Sequence, residues 1–326
     1  MGRTRSACGV PQIEEESVPD VILHQYAMSP FSEKIRAIFG FKQIAWRAVD
    51  IPSILPKPDL VALTGGYRRT PVLQIGADVY CDTELIARTV DALAPEPPLY
   101  PPQCGAATVA LARWCDTTLF LAAAVLFSQR EVLEVLFAGR DELRQAFIAD
   151  RVAMRKGAPG RRPTATEARL LVENFARQFD TQIALGTAWL LGSAPTIADF
   201  SAYHALWFVR GAAPLAPVLA PFAHVARWME AIRALGHGSR TPLSSTEAIA
   251  IARDATPSTL ELASDSPEFP IGVAVEVQPT DYAFDPVAGN LVRLSADEIA
   301  VRRTDPRAGQ VVVHFPRNGY AIRMPA

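Results

Sequence analysis

Apolar positions along the chain fall into three successive regimes. In the first, short apolar runs alternate with helical stripes. Val21 to Tyr26 reads as a strand, and Phe31, Ile35, Ile38 and Phe39 then recur at helical spacing and define one buried face. Ser29-Pro30 starts that helix, with a hydroxyl at the N-cap and a proline where its missing N–H costs nothing; Gly40 reads as its stop. A second strand is expected at Ala45 to Val49, a loop across the proline-rich Pro52 to Pro58, and a short helix at Asp59 to Leu63. Pro71 to Ile75 and Val79 to Cys81, joined by Gly76-Ala77-Asp78, read as a hairpin. From Asp82 the period is helical again, with Leu85, Ile86, Val90 and Leu93 on one face.

The second regime begins after Ala94 to Pro102, where five of nine residues are proline. From about Gly105 to Leu235 the chain reads as helix, broken near Gly157 to Pro163, Gly192 to Pro195 and Ala212 to Pro221. Thr196-Ile197-Ala198-Asp199 has the form of a capping box opening a helix that is apolar on nearly every face, so that helix belongs in the middle of its domain. In the third regime Ser244 and Glu247 cap one short helix and the period then drops to two. Ile271, Val273, Val275 and Val277 alternate with small or polar residues, and further strands are expected at Leu291 to Leu294, Glu298 to Val301, Gln310 to Phe315 and Tyr320 to Met324.

The element order βαβ then ββα is that of a thioredoxin-like α+β domain. The expected organisation is a disordered leader (1–19), that domain (20–94), a linker (95–104), an all-α helical domain (105–238), and a short helix plus a small mainly-β module (239–326). The module is near the size at which a domain barely folds alone, so it is expected as a separate unit packed on the helical domain.

With 326 residues, 49% hydrophobic, the chain has ample material for real cores. Its net charge of −2 points away from nucleic acid or a polybasic membrane surface as the main partner. The longest apolar stretch, about Leu119 to Phe127, is shorter than a bilayer requires. Cys8, Cys81, Cys104 and Cys115 form no CxxC pair and no Cys/His cluster of metal-ligand spacing, so unpaired thiols, no metal and a cytoplasmic setting are expected.

Three places in the first domain carry candidate chemistry. Ser29-Pro30-Phe31-Ser32 lies at a helix N-terminus, where free N–H groups and the dipole favour an anion such as a thiolate, and a serine hydroxyl adds a hydrogen bond to its charged form. Taken alone, Ser29 reads equally as a plain cap. Thr70-Pro71-Val72 puts a proline at the head of a hairpin strand, a place that invites a cis peptide. At Asp82-Thr83 a helix start combines an acceptor for an ammonium with a donor for a carboxylate, as a zwitterionic amino-acid end requires.

Together, in this order, these segments resemble the glutathione S-transferase superfamily. Ser29 to Arg36 looks like the first-helix segment of that family, and Arg69-Thr70-Pro71-Val72-Leu73 resembles its basic residue, cis-proline and third strand. Asp82-Thr83 with Ile86 resembles its acidic signature, and Thr196 to Phe200 the capping box of its helical domain. The resemblance covers roughly residues 20–236 and leaves out the terminal β module.

What it implies is a glutathione-binding, serine-type transferase. Glutathione is the co-substrate, and its thiolate attacks a small hydrophobic electrophile. The activating hydroxyl is Ser29, with Ser32 and then Tyr26 as alternatives. Asp82 and Thr83 would hold the γ-glutamyl end, the main chain around Thr70, Pro71 and Val72 the cysteinyl backbone, and Arg69 or Arg68 the glycyl carboxylate. Arg113, Trp114, Thr117, Phe120 and Trp207 are candidates for the electrophile wall. His314 and Arg317 are candidates for an anion contact or for closing over the site; a paired strand with two surface side chains reads as well. A homodimer is implied. The competing reading is a non-catalytic, transferase-like scaffold that uses the β module for interaction.

Overall fold

The computed structural model describes residues 20–258 and 263–325; the expected leader, with Cys8, lies outside the described residues. The first domain runs β1 (Val21–Gln25), α1 (Pro30–Phe41), β2 (Ala45–Asp50), α2 (Pro58–Thr64), β3 (Val72–Ile75), β4 (Asp78–Cys81) and α3 (Thr83–Leu93). β1 pairs parallel with β2 and antiparallel with β3, which pairs antiparallel with β4. The thioredoxin-like reading is therefore correct. α1 does not stop at Gly40. That glycine is buried inside the helix, where an added Cβ would stand 2.1 Å from the Gly236 carbonyl oxygen. The expected stop is instead a place of close packing between α1 and the backbone at Gly236.

The helical domain comprises α4 (Gly105–Trp114), a π-helical turn (Cys115–Leu119), α5 (Phe120–Phe127), α6 (Arg130–Leu136), α7 (Asp141–Arg155), α8 (Ala165–Ala184), α9 (Ile197–Arg210), α10 (Ala216–Leu219) and α11 (Ala223–Ala234). The Thr196 capping box forms, and nearly all of α9 is buried. Asp199 also accepts from Leu190 N–H at 2.9 Å and Trp228 Nε1–H at 3.1 Å, which satisfies a carboxylate deep in the domain. Pro102 to Phe127 is one continuous helical run, long and apolar enough by length and composition to cross a membrane, contrary to the sequence reading. It packs on α8 and α9 instead, and Asp116 at its centre is ion-paired.

The C-terminal strands overturn the expectation of a separate module packed on the helices. After β5 (Ser239–Pro242) and α12 (Ser245–Asp254) come β6 (Ala263–Ser264), β7 (Ala274–Pro279), β8 (Val287–Leu294), β9 (Glu298–Asp305), β10 (Gly309–Pro316) and β11 (Tyr320–Arg323). β10 pairs parallel with β4, and β5 pairs parallel with β2, so both edges of the first sheet are extended. The result is one sheet ordered β11-β7-β8-β9-β10-β4-β3-β1-β2-β5, with β6 beside β8. A hairpin edge left open exposes unpaired backbone groups, and β10 satisfies those of β4.

Side chains alternate across the sheet. Leu23 and Leu73 face α1, α3 and the helical domain in one core; Ile22, Val79, Val311, Val313 and Phe315 face α2 and α12 in another. His314, on β10, is buried against the ring of Tyr80 with Nε2 3.0 Å from Asp78 Oδ1 and Nδ1 2.5 Å from Glu298 Oε1. It is a junction between strands, held by two carboxylates, and not the anion contact or lid considered from the sequence. Arg317 is exposed in the turn after β10.

Candidate functional site

Ser29 caps α1 with its Oγ accepting Ser32 N–H at 3.1 Å, and Pro30 occupies the first helical position. With the oxygen used as an acceptor, its hydroxyl hydrogen is free to donate outward. Phe31 N–H carries no hydrogen bond among the described residues. The preceding loop is fastened by Arg36, whose guanidinium donates to the carbonyls of Ala27 (3.0 Å) and Tyr26 (3.4 Å) and to Glu33 (2.8 Å). Beneath, Lys34 Nζ bonds Asp116 Oδ2 at 2.7 Å and Thr83 Oγ1 at 3.4 Å, and Asp116 Oδ1 meets His204 Nε2 at 2.9 Å. Burial opposes the Asp116 charge, but Lys34 and His204 hold its carboxyl below the usual range. Burial lowers His204, which stays neutral between the rings of Phe31 and Phe120. One chain of polar contacts thus locks α1 and α3 to the helical domain.

Ser29, Thr70, Pro71, Asp82 and Thr83 all line one cavity of about 1590 Å³. The Thr70–Pro71 peptide is cis. Asp82, at φ 76°, caps α3 through Glu84 N–H at 3.0 Å, while Thr83 N–H carries no hydrogen bond among the described residues. Positive φ at a non-glycine residue costs energy and concentrates at functional sites. Ser32 is fully buried, its hydroxyl has no partner among the described residues, and it does not line the cavity; neither does Val72, whose main chain sits in the sheet ladder. Tyr26 does line it, its hydroxyl 3.5 Å from an Arg151 nitrogen. Of the five candidates for the electrophile wall, Phe120 alone reaches the cavity. Trp114 turns inward onto Phe175.

Two groups of residues escaped the sequence reading. The first comes from the C-terminal strands. Tyr320 on β11 donates to Asp82 Oδ2 at 3.0 Å and its oxygen lies 2.9 Å from that of Tyr67; burial pushes the Tyr320 phenol well up, so it remains a donor. Arg69 pairs with Asp281, donates to the Tyr282 carbonyl at 2.6 Å and lies 4.0 Å over the Tyr282 ring. Arg69 is therefore already supplied with an internal carboxylate. The second group is Lys57 and Arg151, which join Arg68, the alternative to Arg69 named from the sequence, around a single carboxylate. Asp150 accepts from Arg68 at 2.7 Å and Arg151 at 3.0 Å, while among the described residues Lys57 Nζ hydrogen-bonds Thr70 Oγ1 alone, at 3.1 Å, and lies over the Tyr26 ring. Burial, with Arg151 next, lowers the Lys57 ammonium to about 8. Three cations against one carboxylate leave spare positive charge beside Thr70.

Profiles of known families locate the same two domains. That of the glutathione S-transferase N-terminal domain matches residues 23–98, and that of the C-terminal domain residues 134–231. A crystallographically solved GST-like protein from Pseudomonas syringae is 38% identical, with a TM-score of 0.79, over 94% of this chain and 100% of that one. The chain belongs to the glutathione S-transferase family. Residues 20–238 make up about two thirds of it, so the Pseudomonas match extends through the C-terminal strands as well. A glutathione S-transferase from Rhodospirillum rubrum F11 shares the fold at 19% identity and TM-score 0.50, over 65% of this chain and 87% of that one. No curated protein matches.

Proposed function

We propose that the chain is a glutathione transferase whose cavity binds glutathione with its sulfur at Ser29. The observation that carries this reading is the convergence of Ser29, the cis Thr70–Pro71 peptide and Asp82-Thr83 on one cavity wall. The Asp82 carboxylate accepts the γ-glutamyl ammonium, and Thr83 N–H donates to the adjacent carboxylate at the start of α3. The Thr70 main chain pairs with the cysteinyl unit. The glycyl carboxylate goes to Lys57, beside Thr70, because Arg69 is committed to Asp281 and Tyr282.

The chemistry is activation of the bound thiol. Lowering a thiol from about 8.5 to about 6.5 takes about 2.7 kcal/mol. A hydrogen bond from the Ser29 hydroxyl to the charged sulfur supplies ~1.5–3 kcal/mol, and the α1 N-terminus a further ~0.3–1 kcal/mol. The thiolate then attacks an electrophile held against Phe120. Titrating glutathione into the protein at neutral pH and recording the ultraviolet thiolate band tests this. A saturable band supports activation; saturable binding without the band leaves a binding protein and removes the enzyme.

A further inference from the structure

Asp82, the acceptor assigned to the γ-glutamyl ammonium, is held by residues from distant parts of the chain. Its Oδ1 accepts Glu84 N–H at 3.0 Å, and its Oδ2 accepts the Tyr320 hydroxyl at 3.0 Å. The terminal torsion of an aspartate is broad, so a single donor leaves the carboxylate plane loose and a donor on each oxygen fixes it. A carboxylate offers about four acceptor positions, and two are taken. With the side chain 24% exposed, the rest are open to a ligand in the cavity.

Tyr320 is itself set from behind. It opens β11, pairs with Pro279 of β7, and its ring lies 5.4 Å from that of Phe315. It is buried and does not line the cavity; its oxygen lies 2.9 Å from that of Tyr67. A phenol carries one hydrogen. Tyr320 directs its own at Asp82, so the hydrogen between the two phenol oxygens is that of Tyr67.

The loop after β7 acts on the same carboxylate. Arg69 Nη1 stands 3.7 Å from Asp82 Oδ2, beyond hydrogen-bond reach. Its Nη2 is taken by Asp281 and the Tyr282 carbonyl, and the guanidinium lies 4.0 Å over the Tyr282 ring. An arginine free to close on Asp82 would compete with an incoming ammonium for the same oxygen.

We propose that Tyr320 is a positioning residue for glutathione recognition, holding the Asp82 carboxylate off Arg69 and in the plane that meets the γ-glutamyl ammonium. It does so from 238 residues away in the chain, so β11 serves the binding site without touching the ligand. This rests on the glutathione reading above. Without the Tyr320 hydroxyl, Oδ2 is left with Arg69 among the described residues, and the carboxylate turns onto that guanidinium instead of the ligand.

The test is calorimetry on the full chain with S-methylglutathione and its deamino analogue, which lacks only the γ-glutamyl ammonium. In Tyr320→Phe the first should bind about tenfold more weakly, equivalent to about 1.4 kcal/mol, and the second within about twofold of wild type. Phenylalanine leaves the buried Tyr67 hydroxyl without its partner, which by itself lowers stability. The Tyr67→Phe, Tyr320→Phe double variant removes both hydroxyls, so its unfolding midpoint should return toward wild type while the ligand-selective loss persists. Equal weakening of both ligands marks a merely structural role and overturns the inference, as does unchanged affinity for S-methylglutathione; the glutathione reading survives either result. A wild type that binds neither ligand overturns the glutathione reading and this inference with it.

Discussion

Replacing Ser29 by alanine removes the hydroxyl assigned to the sulfur and, with it, the N-cap acceptor for Ser32 N–H. The two losses read out differently. Loss of the cap costs about 1 kcal/mol of stability whatever the ligand. Loss of a donor to a charged sulfur costs ~1.5–3 kcal/mol of thiolate stabilisation, or about one to two units in the pKa of the bound thiol. The assay is the thiolate absorbance of bound glutathione as a function of pH. The alanine variant should titrate about one to two units higher than the wild type, and conjugation near pH 6.5 should fall ~10- to 100-fold, with the deficit vanishing above the thiol's ordinary value of about 8.5. Ser29→Thr keeps both the cap and the donor and should stay close to wild type. The reasoning fails if the alanine variant titrates like wild type. An upward shift in Ser32→Ala or Tyr26→Phe instead would move the assignment to that residue.

Lys57 and His314 make pH-dependent claims. Lys57 deprotonates near 8, so binding of S-methylglutathione, which has no thiol to titrate, should weaken as pH rises through that value in wild type and weaken less in Lys57→Arg, where only the ligand's own ammonium still titrates. For His314, burial lowers the pKa but Asp78 and Glu298 more than restore it, so its folded value stands above the ordinary 6.5. Its stabilisation is complete below that ordinary value and is lost as pH rises through the folded one. Asp78, lowered by His314 despite burial, contributes above its ordinary 3.8 and loses its contribution as pH falls through its folded value. The unfolding midpoint of the wild type should therefore fall on going from pH 6 toward pH 9, with a flatter profile in His314→Gln. Gly40→Ala should cost ~2 kcal/mol or more by chemical denaturation, because the new methyl meets the backbone of Gly236 and Leu235 rather than a movable side chain.

Much of this architecture is legible in local pattern. The Ser29 cap, the hairpin around Gly76 and the boxes at Thr196 and Ser244 are each specified by residues within a few positions, and each forms as expected. What is not legible is pairing between distant strands. The apolar run Val311 to Val313 marks β10 as a buried strand and its pairing with β9 is close in sequence, but its second backbone partner is β4, more than 200 residues away, and nothing in the side chains names it. β5 carries no apolar alternation because all four of its residues are exposed. The site divides in the same way. Ser29, Arg68, Pro71 and Asp82 sit in recognisable local motifs, whereas Tyr320, Asp281, Tyr282, Lys57 and Arg151 are isolated polar residues brought to the site only by the tertiary fold.

The central claim is that this cavity is a glutathione site built around Asp82. Calorimetric titration of glutathione into the wild type and Asp82→Asn tests it most directly. Asparagine keeps Oδ1 to accept the Glu84 N–H that caps α3 and turns an amide N–H toward the Tyr320 oxygen, while removing the charge. The account predicts saturable binding by the wild type and a loss of about 1–3 kcal/mol in the variant, the scale of one hydrogen bond to a charged group. No binding by the wild type at millimolar glutathione, or equal affinity in the two proteins, would contradict it.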